Sequence, residues 1–212
     1  AANPPTEITA PGSGSVALPP DMATINAVVV TQNENAQDAV SQNNARYERV
    51  VASLTQLGIA RGDISLTYYN VSYNPRPAGT TTNAPGEIYG YTVNRSFAVK
   101  VRQIGNAGRV SDAALAAGAT SIDNVSFGIS NPHSARMEAT RRAVAEARSN
   151  AEAVAGAAGL RITGIKSIEF GGLAPAPMIA RVSSAKMSAP TEFDQSNVNV
   201  TVSVSVVFFA EP

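Results

Sequence analysis

The sequence has no cysteine and no tryptophan, and its 212 residues include a single histidine, His133, and three lysines. Without a thiol the chain can form neither a disulfide nor a zinc–thiolate site, and it has no cysteine nucleophile. One histidine provides no second imidazole for a metal centre, and the carboxylates do not cluster along the chain. The sequence therefore predicts no metal, no cofactor and no catalytic residue set, and we expect a protein that is not an enzyme.

Charge is also scarce. Charged residues make up 15% of the chain and the formal net charge is zero, whereas an ordinary soluble domain carries about 25% charged residues. A nucleic-acid surface needs a clustered basic excess, and the longest basic run here is Arg141–Arg142. We expect no nucleic-acid partner.

Long hydrophobic runs are missing as well, which predicts no transmembrane segment and leaves envelope association open. The chain begins at Ala1 rather than at methionine. That beginning indicates either a removed export signal or a trimmed chain.

Apolar and polar residues alternate regularly near the C-terminus. Valine occupies every second position from Val198 to Val206, with Asn, Thr and Ser between. In an extended chain the valines share one face and the uncharged polar residues the other. The pattern predicts a final strand over 197–209 whose valines lie in the core, while its polar face meets water, a partner subunit or a lumen.

Periodicity predicts three helices, over 36–57, 104–117 and 132–158, and strands near 22–32, 64–73, 91–101, 121–129 and 162–170. Asn35 is the expected N-cap of the first helix and Gly58 its end. A first strand over 7–18 is expected to break at Pro11–Gly14, and the shift of apolar phase at Tyr68–Tyr69 predicts a bulge.

This order predicts an α+β fold: a split βαβ-like sandwich with a mainly antiparallel sheet and helices on one face, plus an extra long helix and a C-terminal strand. We expect residues 1–6 to form a flexible lead. Residues 7–212 are expected to form a single domain with a long loop at 171–196.

Several short motifs together resemble the SIMPL domain family over roughly Ile8 to Phe209. They are, in chain order, Gly12–Val16, Pro20–Ala23, Asn43–Asn44, Gly58–Ile59, Asp63–Ile64, Gly90–Tyr91, Val99–Arg102, Gly118–Ala119 with Ile122, and Ala143–Arg148 with Gly159. The resemblance implies an exported protein of the bacterial periplasm or envelope, without agreed catalytic residues, with a role in envelope or oxidative stress and with homo-oligomeric assembly.

Residues with interface character gather in two places, the hairpin around 74–86 and the long loop. A tyrosine-rich interface is favoured there over a stacking platform for single-stranded nucleic acid, because the chain has no net positive charge. The candidate interface residues are Tyr69, Tyr73, Tyr89, Arg95, Met178, Ile179, Arg181, Val182 and Met187.

Two functional hypotheses follow. The first is a periplasmic protein that works by homo-oligomeric assembly, as a ring or a channel-like oligomer. The second is a monomeric, chaperone-like module that binds a peptide or small ligand through the tyrosine hairpin and the long loop. His133 follows Pro132 at an expected helix start, so its interpretation is an exposed helix end rather than a base.

Overall fold

A computed structural model describes residues 5–76, 79, 89–171, 178–179 (backbone), 191–193 and 196–212. The elements in chain order are β1 (Thr6–Leu18), β2 (Met22–Asn33), α1 (Ala36–Gln56), β3 (Ile64–Asn74), β4 (Gly90–Val101), α2 (Ala107–Ala117), β5 (Ser121–Gly128), α3 (His133–Ala157), β6 (Arg161–Phe170), β7 (Met178–Ile179) and β8 (Val198–Glu211). Short 3-10 turns at Arg61–Asp63 and Ile104–Asn106 precede β3 and α2.

The chain forms two compact units. The first combines residues 1–19, 129–177 and 196–212, and the second combines residues 20–128 and 178–195. The predicted α+β class, with antiparallel sheets, the split βαβ order and an added long helix, is confirmed. Whether 7–212 unfolds as one domain stays a prediction.

The second unit contains the split βαβ arrangement. Its sheet has the order β3-β4-β2-β5-β7 with every neighbouring pair antiparallel. The helices α1 and α2 pack over the middle of this sheet, on β2, β4 and β5. Ile25, Val29, Leu54 and Phe97 are fully buried in the resulting core.

Helix α1 is fixed at both ends and at its middle. The Asn35 side chain accepts hydrogen bonds from the N–H groups of Gln37 and Asp38, so the predicted N-cap is confirmed. Gly58 has a φ of 87°, as a helix-ending glycine does. In the middle, Asn43 is completely buried and donates to the carbonyls of Val29 and Val93 at 3.0 and 3.3 Å. These bonds tie α1 to β2 and β4.

The first unit is a three-stranded antiparallel sheet with β8 between β1 and β6. The alternating valines of β8 are buried, as predicted, and Phe208 and Ala210 continue the same face. Helix α3 lies on that face with an alanine at every fourth position from Ala135 to Ala155. On the other face Asn199, Thr201 and Ser203 are exposed.

Glycine lets α3 approach β1 closely. A Cβ built on Gly12 would lie 2.6 Å from the backbone nitrogen of Ala147, and one on Gly14 would lie 2.7 Å from that of Ala143. Real side chains do not come that close, so both positions require glycine. The alanine stripe and the two glycines are therefore matching halves of one contact.

The expected break of the first strand at Pro11–Gly14 is wrong, because β1 runs without interruption from Thr6 to Leu18. The reason is which way the backbone points. The backbone hydrogen-bonding groups of Pro11, Ser13 and Ser15 point toward α3 rather than toward β8. Since both backbone groups of a residue in an antiparallel strand point to the same side, the N–H that Pro11 lacks is not needed by the sheet.

Candidate assembly interface

Strand β3 forms one edge of the second unit's sheet. Helix α1 packs on β2 and β4, and no described helix covers β3. Its side chains are consequently exposed for nearly its whole length. Leu66, Tyr69, Val71 and Tyr73 are between 40% and 59% exposed, which is unusual for a row of large apolar side chains on one strand.

The bulge in β3 determines which side chains share a face. It lies between Leu66 and Tyr68, about one residue before the predicted position at Tyr68–Tyr69. After it, Tyr69, Val71 and Tyr73 pair with Arg95, Val93 and Tyr91 of β4. Because Arg95 stacks on Tyr47 of α1 and Val93, in the same phase, is fully buried, these three β3 residues lie on the helix-bearing face.

Arg95 links this face to α1. Its guanidinium donates to the Asn44 side-chain oxygen at 2.7 Å and stacks on the rings of Tyr47 and Tyr69, with its Cζ 4.6 and 5.1 Å from the ring centroids. Its Nε is buried without a partner in the described part of the chain. A guanidinium between two rings holds both by cation–π attraction, so Arg95 fixes the orientation of Tyr69 at the sheet edge.

A second aromatic group lies where β3 and β4 approach the hairpin. The rings of Tyr73 and Tyr91 are 4.8 Å apart between centroids. Arg76 pairs with Glu34 at 3.0 Å and lies 5.8 Å from the ring centroid of Tyr89. Tyr69, Tyr73, Tyr89 and Arg95 therefore lie along the β3–β4 pair, although the hairpin residues 77–78 and 80–88 are outside the described residues.

The remaining predicted interface residues lie elsewhere. Met178 and Ile179 form β7, which pairs with Phe127 and Ser126 of β5 at the edge opposite β3. Strands β4, β2 and β5 separate the two edges, so the structure does not bring the tyrosines and the loop residues together. Arg181, Val182 and Met187 lie outside the described residues. All nine residues stay a proposal as an interface.

Four residues of this surface were not predicted as part of it: Asn44, Tyr47, Leu66 and Val71. A signal for the first two exists in the sequence. Arg95 falls in phase with the buried Val93 and Phe97 of β4, and a partly buried guanidinium requires polar or aromatic partners on the element packed above it. Those partners are on α1.

Other features offer little for chemistry. A cleft of about 320 Å³ lies at the C-terminal end of α1, and its charged lining includes Lys100 and the pair Asp63–Arg102, bonded at 2.7 Å. The Arg102 guanidinium holds the pKa of the Asp63 carboxyl below its usual value. His133 is an exposed residue at the start of α3. Within the described ranges, no three His, Asp or Glu side chains converge as metal ligands.

Comparisons with known proteins give the context for this surface. The chain is 29% identical over 209 residues to the 26 kDa periplasmic immunogenic protein of Brucella melitensis biotype 1, covering 94% of this chain and 84% of that protein. It is 26% identical over 209 residues to the uncharacterized protein YggE of Escherichia coli K12, covering 97% and 83%. YggE of Edwardsiella ictaluri is 29% identical over 205 residues, covering 93% and 84%.

The part of the chain that the structure describes contains no helix with the length and apolar character needed to cross a membrane. One family model, SIMPL, described as a protein of unknown function (DUF541), matches residues 8–208. That match covers nearly the whole chain, including both units, and the protein therefore belongs to the SIMPL family.

Proposed function

We propose that this protein is a non-enzymatic component of the periplasm or cell envelope that acts by homo-oligomeric assembly, as a ring or channel-like oligomer. The observation that carries the proposal is the exposed, uncharged β3 edge with its half-exposed tyrosines. Tyrosine-rich, charge-poor surfaces are typical of the centres of protein interfaces. The periplasmic name of the Brucella relative supports the compartment.

The open face of β8 also supports assembly. Asn199, Thr201 and Ser203 form a polar row without charge, which can face water or a neighbouring subunit at little desolvation cost compared with charged groups. A role in envelope or oxidative stress stays a prediction.

The experiment is a measurement of the molar mass of the native chain by light scattering, at concentrations from low to high micromolar. Assembly predicts a mass that is a multiple of 21.9 kDa. A mass of one chain at every concentration would contradict the proposal.

A second candidate is a monomeric binding module for an extended peptide or small ligand. The observation that favours it is the same open edge, because an edge strand can accept an added strand from a peptide. This candidate predicts a monomer whose thermal unfolding midpoint rises with added peptide. If the protein is monomeric and added peptide does not raise its thermal unfolding midpoint, both the assembly and the peptide-binding proposals are wrong.

A further inference from the structure

The described part of the chain has four strands at the ends of its two sheets: β1 and β6 in the first unit, and β3 and β7 in the second. An edge strand presents unpaired N–H and C=O groups that can capture another strand. Proteins usually prevent this with short strands, bulges, charges or covering side chains. The four edges differ sharply in this protection.

Side chains of α3 cover the edge of β1. Three polar residues at four-residue spacing reach its outer backbone: Arg142 donates to the Ser15 carbonyl at 2.9 Å, Asn150 donates to the Pro11 carbonyl at 3.0 Å, and Glu146 accepts from the Ser13 N–H. The carbonyls of Pro11 and Ser15 and the N–H of Ser13 are thereby satisfied within the chain.

Two of the other edges are protected by simpler means. Strand β6 contains two register shifts, between Ile162 and Gly164 and between Ile165 and Ser167. It also carries three charged residues, Arg161, Lys166 and Glu169. Strand β7 is two residues long in the part of the chain that the structure describes. Neither offers a long, regular, neutral edge.

Among the described residues, strand β3 shows none of these protections beyond its early bulge. From Tyr68 to Asn74 it pairs with β4 without a register shift and contains no charge and no proline. No described strand pairs with its outer side. The six regular residues Tyr68–Tyr73 match an average strand in length, so this edge can accept a partner strand.

We infer that the partner is the β3 strand of a second copy, paired antiparallel about a two-fold axis at Val71, so that two five-stranded sheets join into one. This inference rests on the proposed assembly and names one of its contacts: a two-fold contact alone closes a dimer, so a ring or channel-like oligomer needs a second contact elsewhere on the chain. The register places Val71 opposite Val71, Tyr69 opposite Tyr73 and Asn70 opposite Ser72. A two-fold contact of this kind is self-complementary, as closed dimers require.

A second copy fits this edge because each pair in that register is favourable. Two tyrosine pairs and a central valine pair lie on the helix-bearing face, where cross-strand aromatic and β-branched neighbours stabilise a sheet. The opposite face receives only neutral polar pairs. Since Arg95 already holds the Tyr69 ring, less side-chain freedom is lost when that ring packs on its partner.

The test uses single cysteines, because the chain has none of its own. Val71→Cys is expected to give a covalent dimer under mild oxidation or with a short bismaleimide. Ile168→Cys is the matched control: it is also β-branched, on an edge strand and on a helix-bearing face, and it is 50% exposed against 40% for Val71. It is expected to stay uncrosslinked.

A charge at the same position gives a second readout. Val71→Lys places two ammonium groups opposite each other across the axis and is expected to raise the dissociation constant by about tenfold or more. Ile168→Lys is expected to leave it unchanged. Both positions are exposed, so unchanged thermal unfolding at low concentration would verify that the fold is intact.

The outcomes separate this inference from the function on which it rests. If the protein is an oligomer whose mass is unchanged by Val71→Lys, and if the Val71→Cys variant does not crosslink, the β3 contact is wrong. The proposed assembly would then still hold through another surface. A native chain that is monomeric throughout overturns both. If the protein is a monomer and the β3 amides are protected from hydrogen exchange only when an extended peptide is added, the edge binds a foreign strand. Pairing with a second copy is then wrong.

Discussion

Single residues decide how the edge of β1 is closed, and Glu146 is central among them. It accepts from the Ser13 N–H and also from the Ser13 hydroxyl at 3.0 Å. The Ser13 N–H, with the hydroxyl, holds the pKa of the Glu146 carboxyl below its ordinary value. The charged form is therefore favoured in the folded protein.

This assignment predicts a pH dependence. A lowered pKa stabilises the fold at pH values above the ordinary glutamate range, and the contribution is lost as the pH falls through the lowered pKa. Glu146→Gln should unfold at a lower temperature than the native chain at neutral pH, and the difference should shrink below about pH 4. Glu152→Gln, whose partner Arg148 is on the same helix, is the control, and thermal unfolding followed by circular dichroism is the measurement. An equal, pH-independent effect of both variants would contradict the role of Glu146.

Sequence patterns predicted individual residues well where the determinant is local. The Asn35 cap depends on the backbone N–H groups of Gln37 and Asp38, and the end of α1 depends on the positive φ of Gly58. Pro11 was misjudged because its effect depends on which side of β1 faces β8. Only the tertiary fold determines that direction.

At the scale of elements, α3 and β1 form a contact that depends on the absence of side chains. Gly14→Ala would push a methyl group into the Ala139 carbonyl and the Ala143 nitrogen. The backbone of a helix cannot yield as a flexible side chain can, so we expect a loss of about 1–3 kcal/mol in the free energy of unfolding.

The control for this prediction is Gly164→Ala in β6, whose new methyl group would meet only the Phe209 ring at 3.9 Å, an ordinary contact. Urea unfolding of both variants is the measurement. If Gly14→Ala were as stable as Gly164→Ala, α3 and β1 would not pack as closely as described.

Periodicity identified these elements but not their partners. The alternation in β8 predicted its buried valines correctly, yet it contains no information about which strands lie beside it. The pairing of β1 with β8 joins residues 180 to 204 positions apart, from Leu18 with Val198 to Thr6 with Ala210. Likewise, Tyr69 of the tyrosine hairpin and Met178 of the long loop were both predicted as interface residues, and only the sheet order shows that they lie on opposite edges.

At the scale of the whole molecule, each unit has its own core, and β8 supplies the central strand of the first. Val202 is fully buried there. Val202→Asp places an unpaired carboxylate in that core and should cost about 3–5 kcal/mol, enough to unfold most domains of ordinary stability.

The neighbouring Ser203→Asp, on the exposed face, is the control and should fold. Tryptic digestion and circular dichroism of both variants would also report whether the second unit stays folded when the first does not. Loss of both units together is expected if 7–212 is a single domain. A folded Val202→Asp variant would contradict the placement of β8 in the core.

Assembly through the open edge of β3 is the central claim, and hydrogen exchange measured at several protein concentrations tests it most directly. Outward-pointing amides in Tyr68–Asn74 should exchange more slowly as the concentration rises from low to high micromolar, while the exposed amides of β6 keep their rates. Exchange in Tyr68–Asn74 that stays the same at every concentration would contradict the account.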